Sequence, residues 1–222
     1  MMTQASCSIV IRCCNEEQYI GRLLKGIMLQ TIKDVEIIVV DSGSTDDTLS
    51  IVSRYPVKIL SIQPEEFSFG RSLNIGCQEA GGEFIVIASA HIYPVYVDWL
   101  EQLLFPFADE LVALVYGKQR GNEMTKYSEH QIFSKWFPNE SNLHQEYPFC
   151  NNANAAIRRS LWERLPYDET LTGLEDLEIY RQEVLFGIHD DWISPQEGKW
   201  EYTYHERLFN YTCLLYTSPS PR

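Results

Sequence analysis

No stretch of the 222 residues approaches the roughly 18 consecutive apolar side chains that a membrane-crossing helix needs, so no such span is expected. The amino terminus, MMTQASCSIV, has no basic region followed by a long apolar core, and no secretory leader is expected from it. Basic residues are scarce: 18 Lys and Arg stand against 31 Asp and Glu, for a formal net charge of −13. A chain this acidic repels a phosphate backbone, which argues against nucleic-acid binding. A nucleotide ligand stays admissible, because a local pocket can be basic when the whole surface is not. The six cysteines include no CxxC pair, which speaks against a structural zinc site. Cys13 and Cys14 are adjacent near the end of an apolar strand, and the plain reading is reduced, buried thiols. Internal repeats, low-complexity linkers and composition breaks are also missing. With 45% hydrophobic and 22% charged residues, the chain reads as one ordinary globular domain.

What is present is an alternation. CSIVIR (7–12) reads as a strand, and NEEQYIGRLLKGIMLQ then spaces Ile20, Leu23, Leu24, Ile27 and Met28 as a helix would. VEIIVVD (35–41) is β-branched and does not alternate, which suits a parallel strand buried on both faces. SGSTDDTLSIVSRY turns into a helix, with Ser44 and Asp47 spaced like a capping box. Strands are expected at 57–62, 82–90 and 111–117, with helices at 69–80 and over YVDWLEQLLFPF. The second half is less regular, with helices expected near 126–136, 158–164 and 175–186 and aromatic loops between them. Five strand–helix alternations predict an open, mostly parallel α/β sheet with right-handed crossovers.

In such a sheet ligands bind outside the carboxyl ends of the strands. The reading therefore puts three loops on one edge: Arg12 to Glu17, Asp41 to Asp46, and Ser89 to His91. Asp41 and His91 are expected to face one pocket. The turn after the first strand, RCCNEE, has no glycine, so the GxGxxG dinucleotide fingerprint is excluded. Neither the phosphate-binding GxxxxGK[ST] loop nor the GxSxG hydrolase elbow occurs.

SIVIRCCNEEQYIGRLLKGIMLQT, followed by VEIIVVDSGSTDDTLSIV, resembles the amino-terminal half of a family 2 glycosyltransferase, the inverting group with the GT-A fold. The matching positions include Val40, Asp41, Gly43, Ser44 and Asp46 of the V-D-x-G-S-x-D pattern. FGRSLNIGCQEAGGEFIVI is similar to the family's R-x-x-N-x-G segment, and NNANAAIRRSLWERL with TGLEDLEIYRQ to its acceptor-side N-x-A-x-R-R and E-D motifs. The resemblance runs over about residues 6–186. It implies an α/β fold with a GT-A-like, Rossmann-like, open and mostly parallel sheet flanked by helices in a single domain. That domain is expected over 1–211, with a nucleotide-sugar half at about 6–117 and an acceptor half at about 118–211. CLLYTSPSPR shares neither pattern nor chemistry with what precedes it and resembles translated sequencing-adapter read-through, so 212–222 is set apart as a non-native tail.

The resemblance also assigns roles. Asp41 is expected to hold the nucleotide's base or ribose, as a carboxylate accepts from N–H and O–H groups, with help among Asn15, Glu16 and Glu17. Arg71, and after the fifth strand Lys118 and Arg120, are candidates for the diphosphate, which guanidinium groups bind bidentately. Glu175 and Asp176 match the E-D pair, with Asp176 as the general base that takes the acceptor proton and Glu175 as a supporting contact. The rival reading is two acids at a helix start, complementing its dipole. One departure stands out. Where the family usually carries D-x-D, this chain has Ser89, Ala90 and His91. Two carboxylates would bind Mn²⁺ or Mg²⁺ through hard oxygens; a serine and a histidine cannot do so in the same way. His91 is expected either to ligate a metal, together with His205 of TYHER, or to touch the diphosphate directly, with Ser89 nearby.

The expected activity is transfer of a sugar from a UDP- or dTDP-sugar to a glycan or lipid-linked acceptor, with inversion at the anomeric carbon. The replaced D-x-D leaves open a different class, a catalytically inactive nucleotide-sugar-binding or scaffold protein. A nucleotidyltransferase would need a glycine-rich basic loop after the first strand, which RCCNEE is not. Ser-Ala-His in that place is reminiscent of bacterial rhamnosyltransferase-like proteins. The protein is expected in the cytoplasm, in contact with the inner membrane face if its acceptor is lipid-linked; no basic amphipathic helix marks such an association.

Overall fold

The structure is a computed structural model. It describes residues 7–110, 112–121, 125–137, 139 and 150–173, and the backbone of 201–212. Eight strands are present: β1 (Cys7–Cys13), β2 (Val35–Asp41), β3 (Lys58–Ser61), β4 (Phe84–Ser89), β5 (Ile92–Pro94), β6 (Val112–Arg120), β7 (Asn154–Arg158) and β8 (Glu201–Thr212). The helices are α1 (Ile20–Met28), α2 (Thr48–Val52), α3 (Phe69–Gln78), α4 (Trp99–Leu104), α5 (Tyr127–Trp136) and α6 (Arg159–Arg164), with 3-10 turns at Pro64–Glu66 and Phe105–Ala108.

The strands form one sheet in the order β3-β2-β1-β4-β7-β6-β8-β5. β1 pairs in parallel with β2 and β4, and β2 with β3, as the apolar runs predict. β7 inserts antiparallel between β4 and β6, so β6 points the same way as β4. β8 is parallel to β6, and β5 closes the far edge antiparallel to β8. Six of the eight strands thus share a direction, and the sheet is mostly parallel.

Three strands escape the sequence pattern. β5 has three residues, one of them Pro94, which a sheet edge tolerates. β7, NAAIR, is too short and too small in side chain to show a period. β8 falls beyond the last expected helix, in a stretch for which no element was expected. The expected helix at 175–186 lies outside the described residues.

Each face of the sheet has its own core. Val10, Ile38, Val40, Ile85 and Ile87 pack with Leu73 and Cys77 of α3, Phe133 of α5 and Trp162 of α6. Ile9, Ile11, Val39, Val86 and Ala88 pack with Leu23, Leu24 and Ile27 of α1 and with Trp99 and Leu103 of α4. The indole of Trp99, wholly buried, donates to Asn154 Oδ1 at 2.9 Å and so ties α4 to the inserted strand.

Asn74 of the R-x-x-N-x-G segment uses its whole amide to fasten α3 to the chain beyond α6. Its Nδ2 donates to Tyr167 O (2.8 Å) and Glu169 Oε1 (3.0 Å), and its Oδ1 accepts from Trp162 Nε1 (3.1 Å) and Tyr167 N (2.9 Å). Asn74→Ala strands two donors beside the buried Trp162 and Tyr167, and a urea melt is expected to show a loss of about 2–4 kcal/mol. A loss below about 0.5 kcal/mol would mean that water satisfies both donors without strain.

Candidate functional site

The carboxyl ends of β1, β2 and β4 lie side by side, and the loops that follow them meet. The loops after β1 and β2 are laced together. Asn15 N donates to Ser44 Oγ (2.9 Å), and Asn15 Oδ1 accepts from Thr45 N (2.8 Å). Glu16 N donates to Thr48 Oγ1 (2.7 Å), Glu17 N to Asp46 Oδ2 (3.1 Å), and Asp47 N to Glu17 Oε2 (2.9 Å). Asn15 takes a positive φ of 56°, a conformation that asparagine tolerates better than most residues. Gly43 supplies the matching left-handed residue, with φ of 87°, in the turn after β2. The side chains of Asn15 and Glu17, expected to help with the nucleotide, are thus engaged in joining the two loops.

Asp41 is 2% exposed at the end of β2. Its carboxylate accepts from Gly43 N (3.1 Å), Ser44 N (3.1 Å) and the Ser44 hydroxyl. The Cys13 thiol points at Asp41 Oδ1 from 3.7 Å. Burial, with Asp41 beside it, pushes the Cys13 pKa well up, so this sulfur stays a protonated donor. Cys14 is exposed; its thiol is pushed up by partial burial and by Asp41, Asp46 and Glu16, which argues against a nucleophilic role. Cys13, Cys14 and Cys77 are free thiols. The capping box expected from Ser44 does not form, because that hydroxyl is drawn to Asp41. Asp46 accepts from Thr48 N (3.0 Å) instead. Partial burial raises the Asp46 pKa, but its hydrogen bonds from Thr48 and Glu17 outweigh that and hold it below the usual carboxylate range.

His91 follows β4 and is partly buried, with 26% of its side chain exposed. Its Nδ1 lies 3.3 Å from Glu16 Oε1, and Ser89 Oγ lies 3.1 Å from its Nε2. An ionised carboxylate can only accept, so Glu16 fixes Nδ1 as a nitrogen that carries a proton. A distant contact holds this arrangement. Gly26 of α1 packs so closely on Pro94 that an added Cβ would lie 2.8 Å from the proline ring. Gln30 Nε2 donates to Tyr96 O (3.1 Å), and Arg22 lies 4.2 Å over the Tyr93 ring. The segment after His91 is thereby strapped along the helix whose preceding loop carries Glu16.

Glu16 was expected only as one of three residues helping with the nucleotide, not as the partner of His91. It sits among three adjacent polar residues, and nothing local tells which of them turns toward His91. The side chains of Asn15 and Glu17 are taken up by the loop after β2, and Glu16 is the one at His91.

Beyond β4, the turn Asn151–Ala153 lies against the site, with Ser89 N donating to Ala153 O (3.2 Å). Ser42 Oγ, at the end of β2, and Asn152 Nδ2, in this turn, are buried without a hydrogen-bond partner among the described residues. Native interiors rarely leave such atoms unmatched, and both lie on the edge where a polar ligand would bind.

The other expected site residues are placed as follows. Arg71 of α3 lies between Glu169 (3.4 Å) and Glu66 (3.7 Å). Lys118 donates to Asn139 Oδ1 (2.8 Å). Arg120 caps the carboxyl end of α5 by donating to Phe137 O (2.6 Å). His205 is the register partner of Gly117, within β8 and short of the edge at Arg120; only its backbone is described. Glu175 and Asp176 lie outside the described residues. No three His, Cys, Asp or Glu side chains gather as a metal site among the described residues.

The family model for glycosyl transferase family 2 matches residues 8–165, which hold β1 through α6 and every loop of this edge. The chain belongs to glycosyltransferase family 2. It is 32% identical over 146 residues to the O-antigen chain rhamnosyltransferase WbaN of Salmonella anatum, an alignment covering 61% of this chain and 46% of that protein. It is rhamnosyltransferase-like in sequence, and it spans about half the length of the curated relatives it matches. Among solved structures, the mannosyltransferase PcManGT of Pyrobaculum calidifontis, in complex with GDP-Man and Mn²⁺, superposes with a TM-score of 0.70 at 20% identity, covering 97% of this chain and 59% of that one. Staphylococcus aureus TarS 1-349, in complex with UDP, gives 0.65 at 21% identity, covering 80% and 54%. These likenesses establish a GT-A-like fold for this family 2 chain. Among the described residues no helix is long and apolar enough to cross a membrane.

Proposed function

We propose that this chain transfers a sugar from a nucleoside-diphosphate sugar to a glycan or lipid-linked acceptor, with inversion at the anomeric carbon. The observation that carries this reading is the Glu16–His91–Ser89 cluster at the carboxyl end of β4, where the family's D-x-D would stand. In the proposed reaction the acceptor oxygen bonds to the anomeric carbon as the bond to the diphosphate breaks. The electron pair leaves with the diphosphate, and the acceptor proton passes to Asp176. A single displacement needs one base and no protein nucleophile. Growing charge on the leaving diphosphate is met by donors already in place, His91 among them in the form that carries a proton on Nε2 as well as on Nδ1. Relatives named for O-antigen chains and for poly(ribitol-phosphate) are consistent with a polysaccharide acceptor.

Manganese accompanies some of the similar structures. Here Glu16 and His91 bring one carboxylate and one imidazole, and the Nδ1 of that imidazole is turned to the carboxylate. A hard divalent ion takes about six oxygens in its shell. The described residues do not fit Mn²⁺ or Mg²⁺ by themselves, and no step is routed through a metal.

A thermal-shift panel tests the reading with UDP, GDP and dTDP, each in EDTA, Mg²⁺ or Mn²⁺, since a ligand of the native state raises the melting temperature by mass action. One nucleotide is expected to stabilise the chain, and a shift that persists in EDTA is the expected form. A shift that needs Mn²⁺ would assign a metal to this edge. A folded protein that none of the three nucleotides stabilises would remove the transferase reading and favour a scaffold.

A further inference from the structure

We infer that Arg12 is a diphosphate-binding residue, a fixed cation at the end of β1 that meets the leaving nucleoside diphosphate beside His91. The inference rests on the transferase reading above.

Register is the first support. Arg12 and Ser89 are Cα partners across the parallel β1–β4 pair, and partners in register carry their side chains on one face of the sheet. That face is the α3 face, because Val10 and Ile87, two residues earlier on each strand, both belong to the core packed against α3. Ser89 Oγ in turn lies 3.1 Å from His91 Nε2. Arg12 and His91 are therefore both neighbours of Ser89, one by strand register and the other by its ring, at the edge where the strands open.

Preorganisation is the second. The Arg12 guanidinium carbon sits 4.5 Å over the ring of Phe69, and Nη1 donates to Phe69 O at 3.4 Å. Phe69 opens α3, whose start is capped by Ser68 accepting from Arg71 N at 3.1 Å. A guanidinium already held over a ring loses little further entropy when it binds, and its planar fork of N–H groups matches phosphate oxygens.

Electrostatics is the third. In a chain of net charge −13, a cationic patch must come from few residues. Arg71 is held by Glu66 and Glu169, Arg120 by the carbonyls ending α5, and Lys118 by Asn139. Two aspartates at positions 89 and 91 would have drawn Arg12 into ion pairs. Serine and histidine bring no negative charge there, so the loss of D-x-D and an arginine at the end of β1 suit one another.

Isothermal titration of the full chain in EDTA with UDP, GDP and dTDP tests this. Arg12→Met keeps the packing on Phe69 and is expected to weaken the nucleotide that the wild type binds by about tenfold or more, the worth of one charge-assisted hydrogen bond. Arg12→Lys is expected to recover part of that affinity, since it restores the charge but not the planar fork. The wild type is expected to lose affinity with added salt more steeply than Arg12→Met. If Arg12→Met does not fold, Arg12→Gln carries the same expectation. Wild-type affinity in the uncharged variant would overturn the inference and leave the transferase reading standing. Equal losses in Arg12→Met and Arg12→Lys would overturn it too, since charge would then not be what counts. A wild type that binds none of the three nucleotides would take down the transferase reading and this inference with it.

Discussion

His91→Ala is expected to lower the rate of sugar transfer by about 10²–10³-fold, the usual worth of one positioned group that stabilises charge developing on an oxygen. The size of the effect follows from how the imidazole is held. Glu16 Oε1 lies 3.3 Å from Nδ1, the pair is largely shielded from water, and the following segment is strapped to α1 through Gly26 and Pro94. A preorganised group costs nothing to reorient as the diphosphate departs, whereas water replacing an alanine-sized gap must reorganise. Initial rates with a nucleoside-diphosphate sugar donor measure this, with nucleotide affinity read in parallel. Glu16→Gln is expected to produce a smaller loss in the same direction, because the amide still occupies the space but holds the ring less firmly. Rates unchanged in His91→Ala would mean that the histidine only fills a strand end.

Asp176→Asn is expected to abolish most turnover, by about 10²–10⁴-fold, while leaving nucleotide binding intact. The amide keeps the shape of the carboxylate and cannot take the acceptor hydroxyl's proton. Only kcat should fall, since donor binding precedes acceptor deprotonation. The assignment comes from the E-D motif alone, as Asp176 lies outside the described residues. Equal loss of kcat and nucleotide affinity would instead mark Asp176 as part of the donor site. An active Asp176→Asn enzyme would pass the role of base to another acid, with Glu175 the first to examine.

The two predictions draw on different kinds of information. The E-D motif could be read from the chain because the family spaces it regularly. The Glu16–His91 pair could not, because the two residues are 75 positions apart and neither belongs to a motif that names the other. Asn74 shows the same divide: its place in R-x-x-N-x-G is legible, but its work, joining α3 to Trp162 and Tyr167, is visible only in the fold. Arg71 of the same motif was expected to face the diphosphate; the structure lays it between two glutamates whose positions in sequence gave no hint of the encounter.

By itself the sequence determined the succession of the parallel strands β1, β2, β3, β4 and β6 and the helices between them, since each is written in a local run or period of apolar residues. It thereby also determined the edge on which Asp41, Ser89 and His91 stand. Tertiary structure alone decided the antiparallel insertion of β7, the addition of β8 and β5, and which acid meets His91. Pairing between distant strands and the lacing of two loops, here through Asn15 and Glu17, depend on contacts across the chain, and no local pattern of side chains encodes them.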